Sequence, residues 1–426
     1  MSKFSQLSKE ELQSFLDQNR KRYHEVRALN LDLNMTRGKP SPEQLDLSLD
    51  MLDKVGKDDF MSSDDVDGRN YGGLDGLAES KKLFAAMMGV SEEEIIIGGN
   101  ASLTLMHDTM VNAYLHGVKD SKRPWGQEKK IKFICPVPGY DRHFNICAHL
   151  GIEMIPVEMG ADGPDVEAIS ELVAKDDAIK GMWMVPMYSN PTGHVYSDEV
   201  IRKLASLPAK AQDFRIFCDN AYAVHHLIDS PANQLNMLTA CKEAGFPDRV
   251  FLYGSTSKVT FAGAGVSVMC GSVPNMSWMR KHLFNQTIGP DKLNQLRHVR
   301  FFQNLEGIQS HMRKHAAILK PKFDAVLEVL ERELGEYGIA EWTEPQGGYF
   351  ISLNTSEGCA KRVVDLASEA GVKLTAAGAT FPYKKDPKDQ NIRLAPSLPA
   401  LDEIKQAMEV VSLCIKVVSA EKYLEN

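Results

Sequence analysis

Two stretches, FRIFCDNAY (214–222) and RVFLYGSTSK (249–258), decide how the chain is to be read. Each is an apolar run of one strand's length that ends in polar residues. Asp219 and Tyr222 follow the first; Ser255, Thr256, Ser257 and Lys258 follow the second. Continuous apolar runs suit strands covered on both faces, as in a mostly parallel sheet. Working outward, the same signature recurs in EEIIIGG (93–99), IKFICPV (131–137), IEMIPVEM (152–159), GMWMVPM (181–187) and GVSVMCG (265–271). Helical patterns intervene, for example at 100–117 and 164–175. Strands alternating with helices predict an α/β fold, with a large domain built on a mostly parallel central sheet flanked by helices.

The chain ends read differently. Residues 8–28 form a polar helix that Ser8 can cap, with Leu12, Phe15 and Leu16 on one narrow apolar face. An extended piece with Gly38, Pro40 and Pro42 follows, and residues 57–76 read as a long loop. A long helical pattern at 307–335 carries Pro321 as a kink or break. Beyond it come YFISLN (349–354), VKLTAAG (372–378), NIRLAPS (391–397) and a helix at 401–420, a smaller α+β unit. The expected division is 1–50 as N-terminal arm and part of the small domain, 51–309 as the large domain, and 310–426 as the small C-terminal domain.

Composition narrows the function. The 426 residues carry 49 Lys and Arg against 57 Asp and Glu, a net charge of −8, so no basic face suited to nucleic acid is expected. No apolar stretch of about 18 residues suggests a membrane span. The charged N-terminus does not read as a secretory signal. Seven scattered cysteines form no CxxC and no ligand spacing, so no metal is expected and a cytoplasmic protein is.

In open α/β sheets, ligands bind beyond the carboxyl ends of the strands. Five sets of residues stand there: Asn100, Ala101 and Ser102 opening a helix; Pro138-Gly139-Tyr140; Asn190-Pro191-Thr192-Gly193; Asp219 with Tyr222; and Ser255 to Lys258. Lys258 lies between an apolar strand and the glycine-rich 261–265, where a lysine loses water and becomes a good Schiff-base former. Asp219 is a carboxylate that can pair with a cationic ring nitrogen. The helix start is a phosphate site as well as a cap. Phosphate, aldehyde, ring nitrogen, phenolic oxygen (Asn190, Tyr222) and flat face (Tyr140) together describe pyridoxal 5′-phosphate.

The order of these motifs, closed by Asn391-Ile392-Arg393, resembles the fold-type I, class I aminotransferases. Leu33 to Pro40 and His311-Met312-Arg313-Lys314-His315 resemble the type Ic aspartate aminotransferase branch. The resemblance implies roles. Lys258 holds the cofactor as an internal aldimine and moves the substrate's proton, with Asp219, Tyr222 and Tyr140 completing the catalytic set. Tyr140 stacks on the ring, Asn190 and Tyr222 bind its oxygen, and Asp219 keeps its nitrogen protonated. Asn100, Ala101, Ser102, Ser255 and Ser257 hold the phosphate, and Tyr71 reaches the phosphate of a neighbouring subunit in a homodimer. Arg393 forks onto the substrate α-carboxylate, beside Asn190, and Gly38 lies in a segment closing over the substrate. One departure is Val266, where relatives place a phosphate arginine.

The expected reaction is ping-pong transamination between an L-amino acid, L-aspartate by the branch resemblance, and a 2-oxo acid, 2-oxoglutarate. Arg37, Arg142 and a partner subunit's copy of Arg297 are open candidates for the distal carboxylate. Two alternatives use the same parts: an aminotransferase of other amino acids, or a lyase or decarboxylase. A third is an amino-acid-sensing regulator, for which residues 1–30 are too short to supply a DNA-binding domain.

Overall fold

The structure, a computed structural model, describes residues 3–231 and 233–425. Of the ranges anticipated above, residues 1, 2, 232 and 426 lie outside the described residues. The strands are β1 (Leu33–Asn34), β2 (Ile95–Ile97), β3 (Lys132–Val137), β4 (Glu153–Gly160), β5 (Gly163–Pro164), β6 (Ile179–Met184), β7 (Arg215–Asp219), β8 (Val250–Ser255), β9 (Ser267–Gly271), β10 (Ala340–Trp342), β11 (Ile351–Thr355), β12 (Val372–Lys373) and β13 (Asn391–Leu394).

Eight of them form one sheet in the order β2-β9-β8-β7-β6-β3-β4-β5. The five strands from β8 to β4 run parallel, while β9 and β5 are antiparallel to their neighbours. Because β9 opposes both β8 and β2, β2 points the same way as β8. The carboxyl ends of β2, β3, β6, β7 and β8 therefore share one edge. Both faces are covered. Ile134, Met182, Ile216, Cys218 and Leu252 belong to one core, and Phe133, Trp183, Phe217, Phe251 and Tyr253 to the other. Burial on both faces is why these runs lack alternation.

A third core joins the two chain ends and also takes in Val185, Met187, Tyr188, Tyr222 and Leu227. Helix Lys9–Arg27 starts in a capping box: Glu11 N–H donates to Ser8 Oγ at 3.2 Å, and Ser8 N–H donates to Glu11 Oε2 at 2.8 Å. Its Leu12, Leu16 and Tyr23 pack with Val410, Val411 and Cys414 of helix Leu401–Glu425. β1 pairs parallel with β12, and β11 lies antiparallel between β10 and β13.

Helix Leu305–Leu334 runs unbroken through Pro321, so of the kink or break expected there the break is absent. Pro321 sits on the exposed side. The buried Leu319, Phe323, Val326 and Leu330 hold the helix on the core on either side of it. Tertiary packing thus offsets the lost backbone bond. The first turns of this helix, with Ile308 and Met312, belong to a core of the large sheet; from Leu319 onward it belongs to the other core. Residues 57–76 contain turns and one isolated bridge, Met61 with Asp67. Among the described residues, no helix is long and apolar enough to cross a membrane.

Candidate active site

β7 ends on Asp219 because the alternation along Ile216, Phe217 and Cys218 turns that carboxylate to the Phe217 side of the sheet. It is 3 % exposed. Its Oδ2 lies 3.0 Å from His143 Nε2, and the His143 ring stacks on Trp183, centroids 4.4 Å apart. Its other oxygen, Oδ1, is buried with no hydrogen-bond partner. A buried carboxylate oxygen without a donor is costly, so a ligand donor fits it.

Lys258 follows β8. Its Nζ lies 5.1 Å from the centroid of Tyr222 and 6.0 Å from that of Tyr349. Burial holds this amine below the ordinary lysine range, against the opposing pull of Asp219. Burial also pushes the hydroxyl of Tyr140 up to about 12 and that of Tyr222 well up, with Asp219 adding to both. Tyr140 sets its ring edge against His143, centroids 4.9 Å apart.

At the end of β2, helix Ser102–His116 begins after Ala101, and no side chain caps it. Its first N–H groups and dipole are therefore open to an anion. Ser257 Oγ donates to the Asn100 carbonyl at 2.9 Å, and Ser255 Oγ to Ser257 Oγ at 3.1 Å. The two serines thus gather at the helix start. Val266 is buried in the core; its N–H donates to Thr256 Oγ1 at 2.8 Å, and it offers the anion no charge.

Arg393, on β13, is 8 % exposed. Its partners are distant: Asn190 Oδ1 at 3.4 Å, Asp141 Oδ1 at 3.5 Å and Thr375 Oγ1 at 3.3 Å. Its Nε is buried and unpartnered, and its guanidinium lies over Phe350, 4.7 Å from the centroid. A weakly engaged, desolvated fork fits a carboxylate. Gly38 packs against the same ring: a Cβ there would come 2.4 Å from Phe350 Cζ. Phe350 is delivered by Gly347-Gly348, whose backbone runs against Tyr188 so closely that a Cβ at Gly347 would come 2.2 Å from that ring.

Tyr71 stands apart, 82 % exposed. Its loop is clamped by Lys292, whose Nζ donates to the carbonyls of Asn70 (2.6 Å) and Gly72 (2.9 Å). Of the cation candidates, Arg37 and Arg142 are exposed, and Arg297 is half-buried with an unpartnered Nε. A cavity of about 1030 Å³ lies behind the sheet, against Cys218, Asn220 and the first half of helix Leu305–Leu334; none of the candidate residues lines it. Sequence reasoning missed His143, Asp141, Thr375, Tyr349 and Phe350. The one local signal was for His143, which follows Tyr140 within the first turn of helix Asp141–His149.

Fold and site together place the molecule in the fold-type I class of pyridoxal-phosphate enzymes. The family model of aspartate amino-transferases matches residues 7–426. An aspartate aminotransferase of Corynebacterium glutamicum is 47 % identical over 404 residues, 95 % of this chain and 93 % of that protein. A crystal structure of an aspartate transaminase from the same organism superposes with a TM-score of 0.97 at 46 % identity, covering 99 % of each chain. An α-aminoadipate aminotransferase from Thermus thermophilus, complexed with N-(5′-phosphopyridoxyl)-L-leucine, shares the fold (TM-score 0.75, 20 % identity, 92 % and 93 % covered). The chain belongs to the aspartate aminotransferase family. It is an aminotransferase, and the cofactor of its family is pyridoxal 5′-phosphate.

Proposed function

We propose that the protein exchanges the amino group of L-aspartate with 2-oxoglutarate by a ping-pong route in which Lys258 is the proton carrier. The observation that carries this reading is the desolvated Lys258 amine against the Tyr222 ring, at the same sheet edge as a buried Asp219 whose Oδ1 lacks a donor. Bound pyridoxal phosphate supplies an electrophilic carbonyl carbon and a cationic ring that draws electron density from the substrate.

The remaining chemistry belongs to the chain. Asp219, oriented by His143 and Trp183, keeps a proton on the ring nitrogen through its free oxygen. Tyr222 and Asn190 would hold the ring oxygen, and Tyr140 would stack on the ring. The uncapped start of helix Ser102–His116 binds the phosphate with Asn100, Ala101, Ser102, Ser255 and Ser257. Val266 leaves this work to N–H groups, hydroxyls and the dipole. Arg393 grips the α-carboxylate, with Gly38 and Phe350 excluding water above it. Lys258, with a depressed pKa, would take the proton from the substrate Cα and serve as general base and then general acid.

The aspartate assignment is supported by the Corynebacterium relative's name. Arg37, Arg142 and a partner subunit's copy of Arg297 are the candidate cations for the distal carboxylate. The exposed Tyr71, Phe284 and Ile288, at 82 %, 77 % and 60 %, support a homodimer in which Tyr71 completes the partner's phosphate site. Seven free, buried cysteines fit a reducing compartment, and we place the protein in the cytoplasm. The division into 1–50, 51–309 and 310–426 is supported by the core that joins the chain ends, although that core also takes in Val185, Met187, Tyr188, Tyr222 and Leu227.

The test is direct. Purified protein should show a cofactor band within about 330–430 nm that shifts on adding aspartate. Lys258→Ala should abolish turnover; near-normal turnover in that variant overturns the reading. Release of ammonia or carbon dioxide in place of an oxo-acid pair would assign a lyase or decarboxylase instead.

A further inference from the structure

The histidine pair of the HMRKH motif does not touch the candidate site, yet it is buried at the heart of the molecule. His311 and His315 are 4 % and 0 % exposed. Four residues apart, they share one face of helix Leu305–Leu334. Arg313, between them, points outward to Glu306 at 2.7 Å. Resting on the functional reading above, we propose that His311, His315, Gln44 and Tyr349 form a positioning network. It fixes the Lys258–Val259 backbone to the N-terminal segment that covers the substrate.

The contacts form a continuous chain. His311 Nε2 lies 2.9 Å from the Val259 carbonyl and 3.1 Å from His315 Nε2. His315 Nδ1 lies 3.0 Å from Gln44 Nε2, which also donates to Tyr349 Oη at 2.9 Å. Tyr349 Oη donates in turn towards the Lys258 carbonyl at 3.4 Å. Two carbonyls in succession, those of Lys258 and Val259, are thus held from opposite ends of one network.

The orientation of the network follows from a single bond. Ser41 N–H donates to Gln44 Oε1 at 3.1 Å, so the Gln44 amide must turn its NH₂ towards His315 and Tyr349. His315 Nδ1 is then an acceptor, and the neutral ring carries its proton on Nε2, which it shares between the Val259 carbonyl and His311 Nε2, the latter acting as acceptor. Burial agrees, holding His315 down to about 4.

Gln44 is the link that gives the network a function. It is the third residue of the short helix Pro42–Asp46, six residues after Gly38. Gly38 packs on Phe350, and Phe350 carries Arg393. Tyr349 and Phe350 are neighbours in the chain. One face of that dipeptide therefore supports the guanidinium that grips the substrate carboxylate. The other supports the peptide of the lysine that moves the proton. A shift of the N-terminal segment is felt at both ends.

The experiment uses the cofactor-loaded enzyme. Tyr349→Phe and Gln44→Met remove donors while keeping shape. His315→Phe removes the acceptor, and His315→Asn restores an oxygen where Nδ1 stood. Three quantities are read: the pH midpoint of the bound cofactor's visible band, kcat and KM separately, and the thermal midpoint. Loss of one buried bond predicts a kcat lowered about tenfold, with KM unchanged within about twofold. It also predicts a displaced pH midpoint, and recovery in His315→Asn relative to His315→Phe. If Tyr349→Phe and Gln44→Met fold but titrate and turn over as the parent does, the network proposal falls. It falls equally if they lose only thermal stability. Should His315→Phe fail to fold, those two variants decide. A parent enzyme whose visible band persists unchanged in Lys258→Ala overturns the functional reading and the network together.

Discussion

Arg393→Lys separates charge from geometry at the substrate carboxylate. Lysine keeps the positive charge but presents one point donor in place of a planar fork. In the free protein little is lost by the change. The Arg393 contacts to Asn190, Asp141 and Thr375 all lie at 3.3–3.5 Å, long for charge-assisted bonds. The penalty therefore falls on the substrate complex. One charge-assisted hydrogen bond is worth about 1.5–3 kcal/mol. Its removal should lower kcat/KM by about 10- to 150-fold, at 1.36 kcal/mol per factor of ten. Arg393→Met, which removes both arms and the charge, should lose more. The assay is the initial rate of oxo-acid formation across aspartate concentrations, with the thermal midpoint as control for the lost stacking on Phe350. A kcat/KM within about threefold of the parent in Arg393→Lys would refute the assignment of this fork to the carboxylate.

Gly38→Ala should destabilise the protein by about 1–3 kcal/mol and raise KM, because its Cβ would strike Phe350; parallel denaturation and kinetics check this. His298 and His315 are buried and neutral, each held down to about 4. Unfolded imidazoles bind protons near pH 6.5, so the unfolded state takes up more protons below that pH. Stability should be full above it and be lost as pH falls towards 4, by about 3 kcal/mol for each group. Thermal midpoints across this range should fall less steeply in His298→Gln, and an identical slope would contradict the account. Phe284→Asp with Ile288→Glu should convert a dimer to a monomer by light scattering; a parent protein that is already monomeric would remove the basis for Tyr71 acting across subunits.

Much of the sheet was legible because each buried strand ends where its polar residues begin. Asp219 after Phe217-Cys218 and Lys258 after Tyr253-Gly254 could be placed at one edge from the alternation of apolar and polar blocks alone. The direction of β9 was not legible: GVSVMCG has the same apolar signature whether it runs with or against its neighbours. Nor was the fate of Pro321, since a local penalty at one residue cannot be weighed against the burial of Leu319, Phe323 and Leu330 without knowing what they pack on. His143, Gln44 and Tyr349 were missed for a related reason. Their partners lie 76, 271 and 91 residues away. Long-range pairs of this kind leave no spacing in the sequence.

Helix Leu305–Leu334 has a mechanical consequence. At 1.5 Å per residue, its 30 residues make a rod of about 45 Å shared by two cores. Any rotation of one core against the other must flex that rod, since no loop intervenes there to absorb it. Pro321 has no N–H to offer the carbonyl of Ala317, so one strut of the helical ladder is missing just beyond Met312 and Leu319, where allegiance passes from one core to the other. Compliance is thereby concentrated at a single turn. The rest of the rod stays stiff enough to carry the strain from one core to the other.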